Sequence, residues 1–200
     1  MKDELPRRLF HTCSCLVFPI AALLLPQDIF LVLLISVTVI FLLFELIRLR
    51  ISSVNNWFLA HFRILLREKE FSKLTSSSYL LIACVIAFLV FDKSIAVLSF
   101  VFLAVGDPVA GAAGKRWGKR KIRGKSIEGS SAFFLAALIF GLILNMVTQV
   151  SLPVLFIGVL GATLIEFLSL PPNDNLTIPL FSGGLMTLVK FIEQYLGGGL

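Results

Sequence analysis

The sequence predicts an all-α, polytopic transmembrane bundle of about seven helices with a cytoplasmic amino terminus. Composition, the spacing of apolar runs and the placement of basic residues predict it. Of 200 residues, 58% are hydrophobic and 15% charged, whereas soluble domains average about half and a quarter. A hydrocarbon core of about 30 Å takes about 20 apolar residues per helix. A chain of this length is largely consumed by crossings, so residues 1–200 are expected to form one integral membrane domain.

Apolar runs place the crossings at His11–Leu25, Ile29–Leu49, Ser78–Phe91, Ser94–Gly114, Gly129–Val147, Leu152–Leu170 and Asn175–Leu196. Pro19 and Pro26 bracket the end of the first run, and no small-residue cleavage site follows it, so it reads as a retained helix. Between the second and third runs, Arg50–Thr75 alternates Trp57, Phe58, Phe62 and Phe71 with Arg63, Arg67, Lys69 and Lys73. That pattern suits an amphipathic helix at the cytoplasmic interface. With the amino terminus inside, all of the 18 lysines and arginines except Lys93 and Lys190 fall on the cytoplasmic side, as the positive-inside rule requires. The +6 net charge is therefore accounted for by topology and gives no reason to expect nucleic acid. Cys13, Cys15 and Cys84 form neither a metal-ligand spacing nor an even disulfide set. No internal repeat is visible, which argues against the inverted-repeat transporter folds.

Carboxylates within crossings are costly and point to function. Asp107 lies thirteen residues after Ser94, about 20 Å along a helix, in the cytoplasmic part of the core. Glu45 and Glu166 reach similar depth on other helices, and Asp174 opens the last helix at that level. Each has a structural alternative: Glu45 can pair with Arg48 one turn on, Glu166 can be a packed, partnered acid, and Asp174 with Asn173 can cap a helix. Pro108 sets Asp107 apart, because proline removes a donor and pushes the preceding residue out of helical geometry. A helix broken beside a cavity is expected there.

Gly106, Ala110 and Gly114 then place small residues on one helix face, with Gly111 beside them, where bare backbone lets helices or a phosphate approach. Lys115, Arg116, Lys119, Arg120, Lys121, Arg123 and Lys125 follow, seven positive charges in eleven residues. Anionic lipid and the positive-inside rule explain part of that density, and a polyphosphate would match the rest. Ser126 is positioned to cap the fifth crossing, with Glu128 and Gly129 in its first turn. A helix start beside a lysine is also an anion site, and a carboxylate there can share Mg²⁺ with phosphate oxygens. Together these residues form a nucleotide-phosphate constellation without Walker spacing.

Gly106-Asp107-Pro108-Val109-Ala110, Gly114-Lys115-Arg116-Trp117-Gly118-Lys119 and Gly124-Lys125-Ser126-Ile127-Glu128-Gly129-Ser130 resemble the signature of the CTP-dependent lipid kinases: dolichol kinase, phytol kinase and the CTP-type diacylglycerol kinase. The resemblance extends to Glu166 and to Asp174-Asn175-Leu176-Thr177-Ile178-Pro179, and more weakly to Arg7, Arg8 and His11 and to Arg67 with Glu70. Pro108 departs from the small or hydroxyl residue usual after the aspartate. The resemblance implies transfer of the γ-phosphate of CTP to the hydroxyl of a membrane lipid alcohol, with a divalent cation such as Mg²⁺. In that reading Asp107 holds the metal, Glu128 or Asp174 is a second ligand or the base, and Lys115, Lys119 and Lys125 clamp the triphosphate. The family is related to the phosphatidate cytidylyltransferases, so cytidylyl transfer is the alternative, with a transporter further behind. The implied setting is multi-pass, in the inner membrane of a prokaryotic cell, with the site facing the cytoplasm.

The topology makes a direct prediction. A single cysteine placed at Arg120 in a cysteine-free background should resist an impermeant thiol reagent added outside intact cells and react once the cells are opened. Labelling from outside contradicts the orientation.

Overall fold

The computed structural model describes residues 5–119, 121–122 and 124–197. Lys2, Arg120 and Arg123, counted above among the cytoplasmic charges, lie outside the described residues. Eight helices follow one another: α1 (Leu5–Leu24), α2 (Gln27–Arg50), α3 (Ser52–Phe62), α4 (Ser76–Val90), α5 (Lys93–Arg116), α6 (Ile127–Thr148), α7 (Leu152–Leu168) and α8 (Asp174–Gly197). Five of them, α1, α2, α5, α6 and α8, are long and apolar enough to cross a membrane, whereas α4 and α7 are shorter apolar helices. Lys121–Ile122 (β1) and Lys125–Ser126 (β2) form a short antiparallel ladder, Lys121 opposite Ser126 and Ile122 opposite Lys125.

Helix α5 is the core. Ile95, Ala96, Leu98, Phe100, Phe102 and Leu103 are fully buried, and α5 packs against α1, α6 and α8, with further contact to α4 and α7. Its half nearest Arg116 is lined with small residues because α6 comes very close. The Phe133 ring occupies the space where a side chain at Gly106 would stand, and Ser126 Oγ sits 3.1 Å from the position of a Cβ on Gly114. The outer surfaces of α2, α6 and α8 expose large apolar side chains such as Ile40, Met146 and Phe191, as lipid-facing surfaces do.

Two expectations are corrected here. Pro108 does not break α5, which runs continuously from Lys93 to Arg116. Packing from several helices holds the axis together across the lost backbone hydrogen bond. The Arg50–Thr75 stretch is not one amphipathic helix either. It is α3 followed by 3-10 turns at Arg63–Leu65 and Glu68–Glu70.

The reason α3 folds back is a buried charge. Glu45 and Arg48 are fully buried near the end of α2, their ion pair closing at 2.5 Å from Arg48 Nε to Glu45 Oε1. Arg48 Nη1 also donates to Asn55 Oδ1 (3.0 Å), and Nη2 to the carbonyls of Glu70 (3.3 Å) and Lys73 (2.9 Å). Glu45 Oε2 accepts from the Thr75 amide (2.9 Å) and Ser78 Oγ (3.0 Å). One ion pair thus ties α2 to α3, to the 3-10 turn and to the start of α4. At the opposite end of the bundle, Lys190 Nζ meets Asp92 at 2.5 Å, and Ser151 Oγ donates to Glu193 at 2.7 Å.

Removing one member of a buried pair strands the other, at a cost of about 3–5 kcal/mol. Arg48→Leu should therefore lower the melting temperature of the protein in detergent by about 10 °C. An unchanged transition by circular dichroism would contradict this account of α3.

Candidate active site

At the end of the bundle where α1, α4, α6 and α8 begin, α1, α2, α3, α5 and the β1–β2 ladder enclose a cavity of about 640 Å³. Its basic wall comes from Arg7 and Arg8 of α1, Lys115 of α5, and Lys121 and Lys125 of the ladder. Asp107 and the backbones of Gly111, Gly114 and Gly129 face the same space. Arg8 Nη2 lies 3.5 Å from the Gly111 carbonyl, which pins the start of α1 to α5. Ser126 caps α6, its hydroxyl accepting from the Gly129 amide at 3.1 Å, as the sequence predicts.

The centre of the polar end is Lys125. Its Nζ lies 2.8 Å from Glu166 Oε1, 3.0 Å from Asp174 Oδ2 and 3.7 Å from Asp107 Oδ1. Three helices, α7, α8 and α5, thus deliver a carboxylate to one ammonium. Burial alone would lower the lysine's proton affinity. The charges of Asp107, Asp174 and Glu166 and the hydrogen bond that Lys125 donates to Glu166 outweigh it, holding the ammonium above the ordinary lysine range. Glu166 is itself 1% exposed and accepts a further hydrogen bond from Ser130 Oγ at 2.6 Å. His11 Nε2 stands 3.7 Å from Asp107 Oδ2, with Cys15 Sγ behind the imidazole at 3.7 Å.

The start of α8 is held by a second set of bonds. Asn173 Oδ1 accepts from the Asn175 amide (3.0 Å), so Asn173 rather than Asp174 does the capping. Asn173 Nδ2 donates to Ser76 Oγ (3.3 Å), and Asn175 Nδ2 to the Ser76 carbonyl (2.9 Å). Ser76 Oγ in turn donates a short hydrogen bond to Glu70, whose other oxygen accepts from the Arg67 amide at 3.2 Å.

Most of the residues singled out in the sequence converge. Arg7, Arg8, His11, Glu70, Asp107, Gly111, Gly114, Lys115, Lys125, Ser126, Gly129, Glu166 and Asn175 all line the cavity, and Asp174 joins it through Lys125. Four do not. Gly106 serves the packing of Phe133. The Arg116 guanidinium lies over the Trp117 ring at 5.2 Å. The Lys119 amide donates to Glu128 Oε1 at 3.4 Å. Glu128 is only partly buried and does not line the cavity; its neighbour Gly129 is the residue that faces α5, and consecutive helical residues diverge by about 100°. Among the described residues no group of three His, Cys, Asp or Glu side chains stands together as a candidate metal site, and Glu128 does not join Asp107 and Asp174 at Lys125. Around Lys125 the third acid is Glu166 instead.

Sequence reasoning left the opposite wall of the cavity unassigned. There Phe41 and Phe44 of α2, Trp57, Phe58 and Phe62 of α3, and Leu65 face the interior. A signal was available: Phe41, Phe44, Glu45 and Arg48 recur at helical spacing, marking an inward stripe on a helix that is otherwise apolar throughout.

The chain is 30% identical over 184 residues to an uncharacterized protein of Rickettsia prowazekii, a match covering 88% of this chain and 90% of that protein. The chain belongs to that protein's family. It is also 28% identical, over an alignment of 222 positions, to CTP-dependent diacylglycerol kinase 1 of Eremothecium gossypii, covering 96% of this chain and 69% of the kinase. No protein-family model and no solved structure matches it.

Lys125 makes a prediction in which charge and packing separate. With its proton affinity raised, its contribution to stability is complete below the ordinary lysine value of about 10.4 and is lost only as pH rises through the higher folded value. Between pH 6 and 9, Lys125→Met should lower the melting temperature by about 5 °C or more, equally at each pH, while Lys125→Arg keeps most of the stability. Equal losses in the two variants would contradict a charge-based role.

Proposed function

We propose that the protein is a CTP-dependent lipid kinase that transfers the γ-phosphoryl group of CTP to the hydroxyl of a membrane lipid alcohol. The observation that carries this reading is the cavity itself, with lysines, arginines and bare glycine backbone on one wall, aromatic side chains on the other, and Asp107 lining the same space. The similarity to a CTP-dependent diacylglycerol kinase supports the donor and the reaction class.

Phosphoryl transfer asks little covalent chemistry of a protein; positioning and neutralisation of the phosphate charge do most of the work. Lys115, Lys121, Arg7 and Arg8 supply that charge, and Gly111, Gly114 and Gly129 leave room for phosphate oxygens beside the backbone. Ser126 and the first turn of α6 offer a helix amino terminus at the same place.

Two carboxylates that already share one cation, Asp107 and Asp174 around Lys125, fit a divalent ion chemically. Mg²⁺ takes hard oxygen ligands, with one or two carboxylates from protein and the rest from phosphate and water. Asp107 and Asp174 would hold that ion, which supplies charge neutralisation between the phosphates. Lys125 would then turn from the carboxylates toward the triphosphate, while Glu166 stays bonded to Ser130. Seven crossings, with a cytoplasmic amino terminus, would put this chamber at the inner membrane face, where a cytosolic nucleotide and a lipid hydroxyl meet.

Label position tests the reaction. Purified protein given γ-labelled CTP, Mg²⁺ and diacylglycerol or a polyprenol should render the lipid fraction radioactive, and α-labelled CTP should not. Label entering lipid from α-labelled CTP alone, with phosphatidate as acceptor, would replace the kinase by a cytidylyltransferase.

A further inference from the structure

The aromatic wall offers apolar surface and not charge to a ligand, and it is as carefully built as the basic one. Phe44 packs edge-on against Phe58 (centroids 5.6 Å apart), Phe58 lies 5.1 Å from Phe62, and the Arg48 guanidinium stands 4.8 Å over the Phe58 ring. Phe58 is buried, so the inner part of the wall is fixed by the same buried charge network that folds α3 back. The outer part is open. Trp57 is 54% exposed and Phe62 39%. The neighbouring face of α2 exposes Leu43, Leu46 and Ile47, the kind of surface that meets lipid tails. The wall is therefore continuous with this exposed apolar surface at its rim and with Asp107 and the glycines inside.

Two donors stand in the same cavity. Arg67 and Ser77 line it, beside Ser76, whose hydroxyl is already engaged by Glu70 and Asn173. Donors beside an apolar wall suit the polar head of a molecule whose remainder is hydrocarbon.

We infer that the wall formed by Phe41, Phe44, Trp57, Phe58, Phe62 and Leu65 is the acceptor-lipid site. A lipid alcohol enters sideways from the bilayer between α2 and α3, lays its chain on these rings, and presents its head to Arg67 and Ser77 with the hydroxyl toward Asp107. This placement rests on the kinase reading for the identity of the ligand as an acceptor, but the binding itself requires no nucleotide.

The protein carries its own reporter, since Trp57 and Trp117 are its two tryptophans and Trp117 does not line the cavity. A Trp117→Phe protein in nanodiscs of saturated phosphatidylcholine, without CTP, would be titrated with a diacylglycerol carrying brominated acyl chains. Trp57 fluorescence should be quenched saturably at low mole fraction, and unlabelled diacylglycerol should restore it. Brominated phosphatidylcholine at the same mole fraction should quench only weakly. Phe44→Ala, and independently the rim variant Phe62→Ala, should weaken the saturable component about tenfold. Equal quenching by both brominated lipids in proportion to their mole fraction, or no recovery with unlabelled diacylglycerol, would show mere bilayer contact and overturn the site. The kinase reading fails separately. Saturable quenching without transfer of γ-label leaves a lipid site in a protein of other chemistry, and transfer without quenching moves the acceptor elsewhere.

Discussion

One ammonium group organises the end of the α5–α8 bundle at which α6 and α8 begin. A carboxylate that leaves water needs a proton or a cation at close range, and α5, α7 and α8 each bring one to the same place. Lys125 answers all three. Because it sits in β2, next to the cap of α6, the demand for its charge draws the β1–β2 ladder down onto the helix ends. Lys121 and Lys125 then line the cavity, and the arrangement that stabilises the acids also gathers positive charge where a phosphate would be received.

A second buried pair does the same for the other half. Glu45 and Arg48 are fully buried, and besides each other they bond to α3, the Glu68–Glu70 turn, the Lys73 carbonyl and the start of α4. The two centres are joined through Glu70, Ser76, Asn173 and Asn175, the last two flanking the aspartate that binds Lys125. A displacement of the aromatic wall would therefore be felt at Asp174 through bonds and not only through soft packing. In the proposed kinase, this is a physical route by which lipid occupancy on one wall would bear on the carboxylates of the other.

What the sequence revealed follows from the range of each interaction. Helix identity, the Glu45–Arg48 pair one turn apart and the Ser126 cap are local, and their spacing along the chain is sufficient to see them. Pro108 misled because its local cost is real but is met by tertiary packing on a helix contacted by several others. Glu128 misled for the opposite reason. Chemistry made it an attractive ligand, but its direction is dictated by Gly129, which must face α5. The meeting of Lys125 with Glu166 and Asp174 spans up to 49 residues of chain, and no periodicity in one sequence encodes it. The break of α3 into 3-10 turns likewise depends on Arg48 reaching carbonyls more than twenty residues away.

The proposed reaction also has to reconcile a strongly hydrated donor with an acceptor that stays in lipid. A deep, closed pocket would have to desolvate the triphosphate, and an open surface would have to lift the lipid out of the membrane. A chamber at the end of the helices avoids both costs. Its basic wall would keep Lys121 and Lys115 near water, and its aromatic wall would keep the exposed Trp57 and Phe62 near the hydrocarbon. Only the reacting groups need to meet between them. The catalytic demand then falls on holding two molecules in line, which is where positioning contributes most to a phosphoryl transfer. That demand explains why so much of the polar chemistry here consists of side chains bound to one another: the walls must be rigid before either substrate arrives.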